Sequence, residues 1–82
     1  MRHASFFLED MKEALTRMIE ATSDIGAHEF SQNWMLISAV RDQIMVLGEA
    51  AKQVPPDIRD QYPEIPWSQL ARIRDQLIHG YF

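Results

Sequence analysis

The feature that most limits how this chain can fold is the apolar run from Ile37 to Val54, followed at once by Pro55 and Pro56. Ile37, Val40, Ile44, Leu47, Ala51 and Val54 advance in unbroken steps of three and four, the period of one face of an α-helix and not of a half-buried strand. A second apolar row, Leu36, Ala39, Val46 and Ala50, lies beside the first. A helix apolar over so wide an arc has to be covered from more than one side, either centrally in a bundle or at a subunit interface. The prolines end it, because each lacks the amide donor that the next turn needs. The spacing thus predicts a central helix over residues 31–53. Gly48 inside that helix costs about 1 kcal/mol relative to alanine, so it is expected where another helix comes close. Glu49 falls near the same apolar surface.

The flanking segments are helical too. Phe7, Met11, Ala14, Met18, Ala21 and Ile25 recur at helical steps and predict a first helix over residues 5–24, with Ser5 as its N-cap and Gly26 as its stop. Glu9 and Asp10 sit early, where the helix dipole favours negative charge. The stretch PPDIRDQYP reads as one short helix opened by proline. The last helix opens at IPWSQL, carries Trp67, Leu70, Arg74, Leu77 and Tyr81 along one face, and meets a stop at Gly80. No strand pattern competes. The expected class is all-α: a small antiparallel helical bundle forming one domain over residues 1–82.

A chain of 82 residues hides only about 60% of its unfolded surface, and self-association is the simplest source of further burial. The absence of cysteine excludes disulfides, thiolate metal sites and cysteine nucleophiles. The start, MRHASFFLEDMKEAL, lacks the long apolar segment of a signal peptide, and no stretch approaches the roughly 18 apolar residues of a membrane span. A cytoplasmic location is therefore expected. The net charge of −4 argues against general polyanion binding, so any RNA contact has to be local. His3 and His28 are isolated and are expected to be exposed or to cap helix ends. Trp34 and Trp67 are expected to anchor the packing, and the methionines to fill core or interface.

Chemistry concentrates at the end of the last helix, where RDQLIHGYF brings Arg74, Asp75, His79 and Tyr81 together. At 100° per residue, Arg74 and Tyr81 lie about 20° apart and Asp75 and His79 about 40° apart, forming two stripes. One helix does not aim Arg74 and His79 straight at the same atom. A flexible arginine, fraying at Gly80, or a second copy of the helix would be needed. Two copies meeting across a twofold axis would assemble two imidazoles and two guanidiniums. That set suits metal-independent RNA cleavage: histidine serves as base or acid near neutrality, and arginine grips phosphate oxygens. No metal is required for such chemistry, no metal-ligand spacing is recognisable, and no cofactor is implied. Arg72 is a secondary contact for an RNA phosphate, and Arg41 and Glu49 would support the site from the central helix. The plainer reading stands beside this one, with His79 as a helix cap, Asp75 and His79 as a surface pair and Tyr81 as a packing anchor.

The segment IPWSQLARIRDQLIHGYF, residues 65–82, resembles the signature end of HepT-like toxins in the HEPN domain family. Arg74, His79 and Tyr81 match the R-x4-H-x-Y motif, and Asp75 matches the polar residue usual after its arginine. Upstream, LGEAAKQVPPDIRDQYPEIPW is similar to the family's helix end, linker helix and following tryptophan. The resemblance implies an all-helical homodimer acting as a metal-independent RNase toxin, with Arg74, Asp75 and His79 catalytic at the dimer interface. It also implies a minimal nucleotidyltransferase antitoxin of the MntA type that transfers AMP to Tyr81. A nucleotide there would block RNA entry and repel its phosphates. Family members continue past the motif into another long helix, so the expected bundle lacks that last helix. A second reading remains open: an inactive helical interaction module that only binds the nucleotidyltransferase.

Overall fold

Helices α1 (Ala4–Thr22), α2 (Ala27–Ser31), α3 (Trp34–Gln53), α4 (Pro56–Arg59) and α5 (Trp67–His79) follow one another along residues 3–80, the part of the chain that the computed structural model describes. The all-α class is as expected. Helix ends differ from the sequence reading for local reasons. The N-cap of α1 is His3, not Ser5: its imidazole Nδ1 accepts the Ser5 amide at 3.1 Å, which places Ser5 within the first turn. Gly26 does not close α1, which stops at Thr22 with Ser23 as its C-cap. Instead Gly26 is extended, and its carbonyl accepts the Phe30 amide at 3.0 Å to open α2, a short helix absent from the prediction. The central helix α3 then starts at Trp34, because Asn33 Oδ1 accepts the Leu36 amide at 3.0 Å. Its end is as predicted, with Val54 extended and Pro56 leading α4.

The long helix α3 is the middle of the molecule. Both α1 and α5 pack on it and make little contact with each other, and α2 touches its start. This is the two-sided cover that the wide apolar arc requires. Met11 and Ala14 from α1, Leu47, Ala50 and Ala51 from α3, and Val54 form the buried core. Half of these are alanines, which let neighbouring helices approach closely. Phe7, Leu8, Met18, Ile58, Ile65, Trp67 and Leu70 pack around the core.

The two tryptophans diverge. Trp67 packs on the core and donates its indole N–H to the Tyr62 carbonyl at 3.0 Å, fixing the start of α5. Trp34 is 73% exposed and does not anchor this chain. It stands about 160° around α3 from Val54, facing away from the core. No described helix is long and apolar enough to cross a membrane.

Candidate functional site

The seam between α3 and α5 closes at Gly48, where there is no room for a side chain beneath Arg74 and Leu70. The predicted close approach is therefore real, and it sets Arg74 directly against α3. Its guanidinium is held from both sides. Arg74 Nε lies 3.0 Å from Glu49 Oε2, while Nη1 donates to Asp75 Oδ1 at 3.1 Å. The Lys52 ammonium donates to that same Asp75 oxygen at 3.3 Å. Glu49 Oε2 is sealed from solvent and off the Nε–H direction, so this contact is charge pairing and not an aligned hydrogen bond. The Arg74 side chain is only 23% exposed. Hydrogen bonds from Arg74 first, and Lys52 second, hold the Asp75 carboxyl below the ordinary carboxylate range.

Arg74 also forms part of the wall of an open groove of about 370 Å³, with Ile78 beside it, Phe7 and Asp10 opposite, and Met45 and Glu49 on the floor. His79 is the last residue of α5 and is exposed. Fraying at Gly80 does not swing it round, because the Gly80 amide still bonds the Gln76 carbonyl at 2.8 Å. Along an intact helix, Arg74 and His79 are separated by about 140° and about 7.5 Å of rise. The length of the arginine recovers part of that gap. Its Nη1 ends on Asp75, which is one turn before His79 and about 40° from it.

The surface pairing of Asp75 with His79 does not form: the carboxylate is turned to Lys52 and Arg74 instead. Arg72 is exposed and, seven residues from His79, shares its outer stripe within about 20°. Glu49 does support Arg74 from α3, as expected. Arg41 is half-buried eight residues earlier, about 12 Å along the helix. Tyr81 lies outside the described residues. Lys52 was missed by the sequence reading, although its position three residues after Glu49 places it on a neighbouring part of the α3 surface.

Comparison with known proteins places this geometry in context. A family model described as ribonuclease HepT-like matches residues 11–82. Two Methanocaldococcus jannaschii proteins, each provisionally named as an RNase, are 42% identical over 81 residues, covering 99% of this chain and 70% and 67% of their own lengths. A Thermococcus cleftensis protein named probable ribonuclease HepT is 41% identical over 76 residues, covering 93% of this chain and 69% of its own. The chain thus spans about two thirds of the length of these relatives. No solved structure matches it.

Proposed function

The chain belongs to the HepT-like ribonuclease family, and from that membership we propose that it is the ribonuclease toxin of a two-gene system, cutting single-stranded RNA without a metal ion. The observation that carries this reading is the placement of the Arg74 guanidinium. It is oriented by Glu49 and ends on Asp75, one turn before the exposed His79.

In the proposed reaction, one His79 removes the proton from a ribose 2′-hydroxyl. The 2′-oxygen attacks the adjacent phosphorus, the bond to the 5′-oxygen breaks, and a second imidazole returns a proton to that leaving oxygen. Arg74 holds the charge that accumulates on the phosphorus oxygens. Asp75 holds the guanidinium until RNA arrives, and Glu49 keeps it oriented thereafter. One chain carries a single His79, on a different stripe from Arg74, so the working unit is a homodimer in which each His79 meets its mate's site across a twofold axis. A minimal nucleotidyltransferase antitoxin switches the toxin off by transferring AMP from ATP to the Tyr81 hydroxyl, releasing pyrophosphate.

The test is cleavage of a labelled single-stranded RNA in excess chelator. Wild-type protein should cut, whereas His79→Ala and Arg74→Ala should not, with helix content unchanged in both. Equal cutting by all three would remove the proposal. A second reading, an inactive module that only binds the nucleotidyltransferase, is favoured by one observation: Glu49 and Asp75 already compensate the Arg74 charge. Binding of that partner by a protein that leaves RNA intact would select it.

A further inference from the structure

The carboxylate of Asp75 holds an unusual place for a side chain: one of its oxygens, Oδ1, is met by Arg74 Nη1 at 3.1 Å from α5 and by Lys52 Nζ at 3.3 Å from α3. Two cations from different helices converge on a single anionic oxygen. We propose that this oxygen marks a phosphate seat, that Lys52 is a phosphate-binding residue of the RNA site, and that Asp75 fills the seat until RNA displaces it. The proposal rests on the ribonuclease reading and adds to it a residue from the central helix.

The local structure favours the exchange. A nonbridging phosphodiester oxygen carries the same kind of charge and accepts the same two donors. The two carboxylates on Arg74 belong to side chains that are equally exposed, at 47% each, but the Glu49 oxygen that faces Arg74 is sealed from solvent. The sealed Glu49 oxygen is out of reach of an incoming phosphate and keeps the guanidinium oriented, while the Asp75 oxygen that Arg74 and Lys52 share is the one a phosphate oxygen replaces. Ion pairs at such exposure hold weakly. Lys52 is itself 38% exposed, and its flexible stem lets the ammonium follow the incoming oxygen. The lowered pKa of Asp75 agrees with a position that concentrates positive potential. The Gly48 contact one turn earlier on α3 brings α5 near enough for Lys52 to reach it.

The experiment measures binding separately from cleavage. A fluorescent single-stranded oligonucleotide with 2′-O-methyl sugars, which has no attacking hydroxyl, is titrated with the full chain at several salt concentrations. Lys52→Gln should weaken binding about fivefold at low salt, as expected for the loss of one exposed charged contact. It should also flatten the slope of log K against log salt by about 0.7, the share of one phosphate on a single strand. Lys52→Arg should restore both. Asp75→Asn, which removes the competing carboxylate from the two cations, should tighten binding. A purely structural role predicts otherwise, because Lys52→Gln and Asp75→Asn break the same pair and would move binding in the same direction. If Lys52→Gln binds with wild-type affinity and slope while His79→Ala still abolishes cleavage, the ribonuclease reading stands and the Lys52 assignment is overturned. If wild-type protein neither binds the oligonucleotide nor cuts RNA, both are overturned.

Discussion

Gly48 lies directly beneath Arg74: a Cβ at position 48 would stand 2.4 Å from Arg74 Cβ and 2.7 Å from the Leu70 carbonyl oxygen. Both are closer than packed atoms come, and the carbonyl belongs to backbone that cannot turn aside. In an open helix surface, Gly48→Ala would stabilise by about 1 kcal/mol. Here the added methyl has to push α5 outward, with an overpacking cost of about 1–3 kcal/mol. The expected outcome is a lower urea midpoint at unchanged slope, with RNA cleavage reduced because Arg74 is carried away from Glu49. A variant more stable than wild type would show that the seam has slack.

Glu49→Gln keeps the size of the side chain and removes the charge that faces Arg74 Nε. Stability should change by less than about 1 kcal/mol, since the side chain is half-exposed and such pairs contribute little. Cleavage should fall more than stability, on the order of ten- to a hundredfold, because a guanidinium free to turn is misplaced relative to the phosphorus. Single-turnover cleavage measured alongside thermal melting separates these effects. A parallel loss in both would assign Glu49 to the fold alone.

Several of these features could be read in the sequence because each leaves a local mark. The strict apolar steps through α3 could only be helical, and their width required the two-sided cover that α1 and α5 supply. Gly48 could be read because a glycine in mid-helix needs a reason. The short helix α2 could not, since five residues are too few to show a period. Trp34 misled because side-chain size argues for burial, whereas its angle on α3 decides the matter. At the site, a helical wheel places Cα atoms only. It separates Arg74 from His79 but does not show the guanidinium reaching Asp75, or Lys52 arriving from a helix 23 positions away in sequence. A lysine on an acidic chain reads as solvated surface until a second helix is laid against it.

The shift at Asp75 fixes the pH range in which this cluster contributes. Its folded-state pKa is depressed, by Arg74 and then by Lys52. The contribution is therefore complete above the unfolded value of about 3.9 and is lost as pH falls through the lower folded value. The stability difference between wild type and Asp75→Asn should be flat between about pH 5 and 8 and should shrink in acid below about pH 4. Urea midpoints of both proteins across that range provide the check. A difference that changes around neutrality would point to another titrating group.

The composition of the core makes self-association measurable. Its six buried residues are one methionine, one leucine, one valine and three alanines, and no aromatic side chain is buried among the described residues. Meanwhile Ile19 and Met35 are each 64% exposed, and Val46, at the lip of the groove that holds Arg74, is 38% exposed. A core so light in large side chains gives a domain of this size little margin on its own. If the working unit is the proposed homodimer, folding and association are linked, and the melting temperature has to rise with concentration. A tenfold increase in protein should raise it by roughly 3–5 °C for a pair of chains of this length. Sedimentation should give twice the chain mass at the upper concentrations. A melting temperature constant from about 1 to 100 μM, together with a monomer mass, would leave Arg74 and His79 with no second copy to bring them together, and the composite site would have to be abandoned.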